Sequence, residues 1–241
     1  MDPQRLYLIG TGNIAGSHAA AARDLPGDVA LHATDLNPDA LERFREKFPE
    51  VEPHASAEAM LADAPREDDL VIVATPPSSH APLARQAFDR GRHVLCEKPL
   101  AMNTGEARQM LSEAQAAGRR LACCSNRCLG TPAVERLAAE RRGGTFGGLY
   151  RVRWCDRRPR NRTGIDFNPE TMAWAATRRA NGGGVLMDWS PYDFTTLHAI
   201  LDPVRVTILA GWQAAPEAAA PRPLPEGIVP DVEQHIGALM R

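Results

Sequence analysis

Apolar positions in the first half of the chain follow two alternating patterns. Short runs have the length of strands: RLYLIG at 5–10, VALHATD at 29–35, DLVIVAT at 69–75, HVLCE at 93–97 and LACCSN at 121–126. Between them, residues 13–25, 38–48, 79–91 and 103–120 space their apolar positions as helices do. Pro38 stands where the first turn of a helix accepts proline, and Gly91 and Gly118 stand where helices stop. Thr104 is the expected cap of the helix it opens. The run LVIVA is apolar at consecutive positions, as in a strand covered on both faces. Alternation of this kind predicts an α/β unit, a doubly wound parallel sheet over residues 1–122.

From about Pro132 the pattern changes. A linking helix is expected at 133–144, a strand longer than the earlier ones at 147–156, and a polar loop at 157–171. Residues 182–201 are helical in spacing, and 204–214 read as a long strand. The alanine- and proline-rich stretch 214–230 reads as a surface loop or linker, after which alternation restarts at 231–241. Residues 123–241 are therefore a second unit built on longer strands.

Composition narrows the function classes. Hydrophobic residues make up 44% and charged residues 24%, an ordinary globular balance, and the net charge of −2 supplies no bulk attraction to nucleic acid or anionic membrane. The longest apolar runs are about five residues, against the roughly 20 that a membrane helix needs. The start MDPQRLYLIG lacks a charged-then-apolar leader layout, so a cytoplasmic location is expected. The five cysteines, Cys96, Cys123, Cys124, Cys128 and Cys155, are an odd number and read as reduced thiols. No metal is expected at CCSNRC, because no second cysteine or histidine pair stands at zinc spacing nearby.

The chemistry begins at YLIGTGNIAG. Gly10, Gly12 and Ala15 form G-x-G-x-x-A directly after a strand and at the opening of a helix, the context of a dinucleotide fingerprint. Gly10 permits the tight turn, Gly12 lets backbone approach a pyrophosphate, and Ala15 lets helix and strand pack closely. Asn13 and Ile14 open the helix at its amide end and belong to the same cofactor set. Asp35 ends the next strand 20 residues after Ala15, where an acid binds the adenosine ribose hydroxyls. Its carboxylate would repel a 2′-phosphate, which favours NAD, with NADP as second choice.

The second strand end to carry polar residues is VIVATPPSSH, with Thr75, Pro76 and His80, and the third is CEKPL, with Glu97, Lys98 and Pro99. Thr75, Pro76, His80, Glu97 and Lys98 are expected beside the cofactor, a surface histidine at a helix start being the alternative for His80. The chain holds 26 arginines and two lysines, Lys47 and Lys98. Guanidinium stays protonated in proteins, whereas a partly buried ammonium can exchange its proton, so a lysine at a strand end in this chain points to acid–base work. The glycine loop, ATPPSSH and EKPLA together resemble the glucose–fructose oxidoreductase, inositol dehydrogenase and MocA family of NAD(P)-dependent enzymes, over residues 5 to about 210.

That resemblance implies a Rossmann domain followed by an α+β domain with a large open, mostly antiparallel sheet, cut short here, and a homo-oligomer. It places the active-site lysine on Lys98, Glu97 near the nicotinamide, and Pro99 in a cis bond that turns the lysine inward. GGGVLMDWSPYDF resembles the family's second catalytic segment, with Asp188 and Tyr192 in the places of its aspartate and histidine. Read as one helix, Asp188 and Tyr192 are i and i+4 and share a face, while Pro191 should kink that helix. Asn126 and Arg127, after the last strand of the first unit, join Lys98, Asp188 and Tyr192 as candidate substrate contacts. The run Arg157, Arg158, Arg160 and Arg162 is read as a solvated loop, with an anion site as the alternative, and Trp154 and Trp174 as core packing. The expected activity is hydride transfer between NAD and a secondary alcohol or ketone of a sugar, cyclitol or related polyol, with Lys98 and Tyr192 handling the proton. A sugar-editing enzyme without net redox change and a silent NAD-binding sensor are the alternatives.

Overall fold

The computed structural model describes residues 3–156, 173–215 and 226–241. The arginine run at 157–162 and most of the alanine–proline stretch lie outside the described residues. The chain separates into two compact units, 1–124 and 125–241, two residues beyond the expected boundary.

The first unit is a six-stranded parallel sheet. Its strands are β1 (Gln4–Ile9), β2 (Val29–Thr34), β3 (Glu52–Pro53), β4 (Leu70–Val73), β5 (His93–Cys96) and β6 (Leu121–Cys123), in the order β3-β2-β1-β4-β5-β6. Its helices are α1 (Asn13–Arg23), α2 (Pro38–Lys47), the single turn α3 (Ala57–Met60), α4 (His80–Asp89) and α5 (Thr104–Ala116). The order is that of a dinucleotide-binding sheet, and it reverses direction between β1 and β4, which opens a crevice beyond their C-terminal ends.

Both faces of the sheet are apolar, which is why LVIVA carries no alternation. Leu6, Leu8, Leu31, Ala33 and Ile72 pack with Ala15 and Ala19 of α1 and Phe44 of α2. Tyr7, Ile9, Val71, Val73, Val94 and Cys96 pack on the other face with Ala84, Ala87 and Phe88 of α4 and Met110 of α5. Small residues on α1 let it sit close: Ala15 and Ala19 are fully buried. Caps follow local side-chain chemistry. Asn37 accepts from the Asp39 amide at 3.0 Å. For α5 the cap is Asn103, which accepts from the Glu106 amide at 3.0 Å, and the expected cap Thr104 is the first helical residue. Neither β3 nor α3 stood out in the sequence, because each is too short to show a period.

The N-terminal end of this sheet is closed by charge. Arg92 and Asp69 are both completely buried. Asp69 accepts from Arg5 at 2.6 and 2.8 Å and from the Arg66 amide at 3.0 Å. Arg92 donates to the carbonyls of Leu61, Arg90 and Asp63, and its guanidinium lies 5.0 Å from the Tyr7 ring centroid.

The second unit contains α6 (Pro132–Arg142), two single turns, α7 (Arg178–Asn181) and α8 (Val185–Asp188), then α9 (Ser190–Leu201) and an antiparallel pair, β7 (Ile208–Ala214) with β8 (His235–Met240). Among the described residues the antiparallel sheet has these two strands. The expected strand at 147–156 is not formed: those residues have no regular structure, and Trp154 is 45% exposed instead of packed in a core. Glycines at 182–184 answer a close approach: a Cβ on Gly184 would overlap the Glu233 backbone. Glu233, nearly fully buried, accepts from the Gly184 and Leu186 amides at 2.9 and 3.1 Å and so holds the start of α8.

Residues 182–201 are not one kinked helix: α8 ends at Asp188 and α9 begins at Ser190, with Trp189 between them at φ −112° and ψ −40°. Pro191 thereby falls in the first turn of α9, where its missing N–H costs nothing. Asp188 and Tyr192 sit on different helices, so helical periodicity does not put them on one face.

Candidate functional site

The cofactor candidates of the first unit stand in the loops after β1, β2, β4 and β5 or, like Asn13, Ile14 and His80, at the start of the helices those loops lead into. The loop after β1 turns at Gly10, whose φ of 92° lies in the left-handed region that favours glycine. A Cβ there would stand 2.6 Å from the Ala74 carbonyl oxygen and 2.9 Å from Thr75 Cγ2, so the loops after β1 and β4 are pressed together. Gly12 is different: a Cβ on it would meet nothing within 4 Å, and it is exposed. The N-cap of α1 is Gly12, which has no side chain to cap the first turn. Helix amides without an internal partner, at the positive end of the helix dipole and beside a glycine facing open space, suit a pyrophosphate. Asn13 and Ile14 are exposed at this same end.

Asp35 is fixed by three donors. Its Oδ2 accepts from the Thr11 amide at 2.7 Å and the Thr11 hydroxyl at 2.9 Å, and its Oδ1 accepts from the Asn37 amide at 2.8 Å. The carboxylate is therefore locked against the glycine loop while partly open, with two oxygens that have further lone pairs for hydroxyl donors. This donor set fits the adenosine ribose of a dinucleotide.

The loops after β4 and β5 are tied together by His80. Its ring is completely buried. Nε2 faces the Thr75 carbonyl and Nδ1 the Pro99 carbonyl, each at 2.8 Å. Burial holds its pKa below the ordinary imidazole value, and the two carbonyls, which favour the protonated ring, offset only part of that. Thr75 also accepts at Oγ1 from Ser79 at 2.7 Å. Thr75 and Pro76 thus belong to a loop whose backbone is held from below by an enclosed imidazole.

Glu97 and Lys98 follow β5, and the Lys98–Pro99 peptide is cis. Glu97 is buried, with Oε1 2.9 Å from His18 Nε2 and Oε2 accepting from the Lys98 amide at 3.1 Å. Burial alone would raise its pKa. The bonds from His18 and the Lys98 amide, with the nearby His18 and Lys98 charges, outweigh burial and hold the carboxyl below its usual range. Cys124 lies beside this pair, and burial raises its thiol pKa far enough to keep it protonated. Lys98 itself is partly exposed. His18 carries no signal in the sequence that would mark it as part of this site. It lies on α1 eight residues after Gly10, and only the packing of α1 over the sheet brings it to the end of β5.

In the second unit, Arg127 joins the aromatic pair at the start of α9. Its guanidinium is 5.3 Å from the Trp189 ring centroid and 5.8 Å from that of Tyr192. The two rings meet edge to face at 5.3 Å. Tyr192 is buried, Asp188 is partly buried, and Arg127 and Asn126 are exposed. Such stacking orients a guanidinium and leaves its edge for an acceptor.

Residues 5–124, half of the chain, match the family model described as an oxidoreductase family with an NAD-binding Rossmann fold. Over 148 residues the chain is 32% identical to a 1,5-anhydro-D-fructose reductase of Ensifer adhaerens, covering 61% of this chain and 41% of that protein. Over 189 residues it is 30% identical to a trans-1,2-dihydrobenzene-1,2-diol dehydrogenase of Mus musculus, covering 76% of this chain and 52% of that one. The chain thus spans about half the length of the curated relatives it matches. Its fold is also that of GenD2 from gentamicin A biosynthesis, solved in complex with NAD: TM-score 0.77 at 22% identity, over 100% of this chain and 62% of the other. With the six-strand order, the open glycine loop and the locked Asp35 in place, this chain belongs to the glucose–fructose oxidoreductase, inositol dehydrogenase and MocA family of oxidoreductases.

Proposed function

We propose that this chain binds NAD and serves an oxidoreductase acting on a secondary alcohol or ketone of a sugar, cyclitol or related polyol. The observation that carries the reading is the contrast within the glycine loop. Gly10 has no room for a side chain, Gly12 faces open space, and Asp35 is locked beside them. The α1 amides and Gly12 hold the pyrophosphate, and Asp35 accepts from the ribose hydroxyls. The same carboxylate would repel a 2′-phosphate, which favours NAD over NADP. When bound, the nicotinamide gives or takes the hydride.

The remaining roles belong to this chain's own groups. Lys98 moves the proton of the reacting hydroxyl, and its ammonium form stabilises a developing alkoxide. Tyr192 and Asp188 are the second unit's groups for the same reaction, the phenol as proton donor or acceptor and the carboxylate as an orienting acceptor. Asn126 and Arg127 contact substrate. Glu97 holds the Lys98 amide through its carboxylate, and His80 sets the paths of the Thr75 and Pro99 backbones. These two act by positioning.

The test uses the purified chain. Calorimetric titration with NAD and NADP measures coenzyme preference, and absorbance at 340 nm follows a panel of sugars, inositols and other polyols. The expected result is tighter binding of NAD and accumulation of NADH with at least one polyol. Absence of NAD binding overturns the reading. Binding without NADH accumulation on any substrate leaves a coenzyme-binding subunit. Sugar conversion that needs NAD but accumulates no NADH makes the protein an editing enzyme.

A further inference from the structure

A second polar cluster lies on the sheet away from the strand ends. His32 stands mid-strand on β2, Glu52 on β3, and His54 just beyond it. His32 and Glu52 are register partners across the parallel pair, so their side chains leave the same face of the sheet. His54 follows Glu52 by two residues and returns to that face. One ligand atom from each of the three lies within 4.8 Å of the other two.

The geometry around His32 is what makes this a site. Its Nδ1 is 3.1 Å from His54 Nε2 and 3.2 Å from Glu52 Oε2. A single nitrogen facing two such partners is poorly served by protons. If Nδ1 is protonated, one hydrogen serves two acceptors; if not, its lone pair meets a carboxylate. A cation at the centre satisfies all three. Four-coordinate zinc with bonds of about 2.0–2.2 Å keeps neighbouring ligand atoms roughly 3.3–3.5 Å apart. The two measured edges fall short of that by a few tenths of an ångström, within reach of small side-chain shifts. The His32 ring is held from behind by stacking on Tyr7, at 4.9 Å between centroids and 16° between planes. Glu52, with 65% of its side chain exposed, forms the open mouth.

We propose that His32, Glu52 and His54 bind one divalent cation of the zinc class at the β2–β3 edge. Two imidazoles and one carboxylate suit zinc and its transition-metal neighbours better than magnesium or calcium. The ion pins the edge of the sheet, where β3 pairs through only two residues. Its affinity is lower by about 10–100-fold than that of a site whose histidines are all backed by an acceptor. Ligating histidines normally donate their second ring N–H to an acceptor, and His32 Nε2 is enclosed with no hydrogen-bond partner among the described residues. The proposal does not depend on the coenzyme reading.

Zinc chloride is titrated calorimetrically into the wild-type chain and into His54→Ala, Glu52→Gln and His18→Ala, with circular dichroism to confirm folding. Cobalt(II) spectra then report whether thiolates take part. The expected result is one equivalent of zinc, weakened about 10-fold or more by His54→Ala and by Glu52→Gln and unchanged by His18→Ala, with no thiolate charge-transfer band from cobalt. Glu52→Gln is at an exposed position and tests the site even if His54→Ala fails to fold. Absence of binding at submillimolar zinc overturns the proposal, as does affinity unchanged by Glu52→Gln. A thiolate band, or loss of binding in His18→Ala, assigns the ion to His18, Glu97 and Cys124 and overturns it too.

Discussion

The two ends of the six-stranded sheet carry similar residue types and use them in opposite ways. At the N-terminal end, Arg5, Asp69 and Arg92 pair with one another and with surrounding carbonyls inside the protein, Arg92 Nε standing 3.4 Å from Asp69 without a hydrogen bond among the described residues. At the C-terminal end, the N-cap of α1 is a glycine with no capping side chain, Gly12 faces open space, and the Asp35 carboxylate is held with lone pairs remaining. Charge density does not separate the two ends. The partners do: donors and acceptors consumed internally hold the fold, and those held in place but left open suit a ligand. The buried Asp69–Arg92 cluster is by this criterion structural.

The largest expected effect breaks the closed end. Asp69→Ala strands Arg92, which has no exposed surface, and removes the partner of Arg5. Breaking a buried pair from one side costs about 3–5 kcal/mol, to be read from urea unfolding followed by circular dichroism. NAD affinity of the folded fraction should stay at the wild-type value. A loss below about 1 kcal/mol would mean that this cluster behaves as a surface network.

Next comes Lys98→Met at the open end. A positioned acid–base group contributes about 10²–10⁴-fold, so turnover should fall by at least about two decades while the melting temperature and the NAD dissociation constant stay close to wild type. Near-normal turnover would remove Lys98 from the reaction. A double-mutant cycle with Tyr192→Phe then tells whether the two residues act on the same step, because groups that act as a unit lose far less than additively.

The contrast between the ends was half legible in the sequence. The open end was readable because its residues are local and punctuated: a glycine loop after a strand, an acid at the next strand end, and a lysine in an arginine-rich chain. The closed end was not, because Arg5, Asp69 and Arg92 are spread over 87 residues and meet only when β1, β4 and β5 align. His18 and the His32–Glu52–His54 trio were hidden for the same reason. In the second unit the helical period of 182–201 was real, but spacing alone could not show the break at Trp189. The stretch 147–156 has the composition of a strand, yet forms none among the described residues; composition cannot report whether a ladder partner is present.

A smaller effect separates the two glycines of the loop. Gly10→Ala forces a side chain into a left-handed backbone and against the Ala74 carbonyl, a strain of about 1–3 kcal/mol. Gly12→Ala meets no protein atom, and its cost at a helix cap should stay within about 1 kcal/mol. Its methyl instead occupies the space a pyrophosphate needs, so NAD affinity should fall about tenfold, or about 1.4 kcal/mol. Paired thermal melts and NAD titrations check both. Equal stability losses with equal affinity losses would erase the distinction between a glycine kept for the fold and one kept for the ligand.

The smallest effect concerns Glu97, which stands at the open end but has internal partners. Its carboxyl pKa is held below the ordinary value, burial being outweighed by His18 and the Lys98 amide. A depressed folded-state pKa contributes stability that is fully present above the unfolded value of about 4.3 and is lost as pH falls through the folded value. Glu97→Gln removes that contribution, about 1 kcal/mol for a hydrogen-bonded group of this kind. The stability difference between wild type and variant should therefore be widest near neutrality. It should shrink below about pH 4.3, and the acid limb of the variant's unfolding profile should be shallower. If this occurs while NAD affinity is unchanged, internal partnering outranks position on the sheet, and Glu97 acts by holding the Lys98 backbone. If NAD affinity falls and the acid limb does not change, Glu97 touches coenzyme directly, and being partnered inside the protein is no sufficient mark of a structural group.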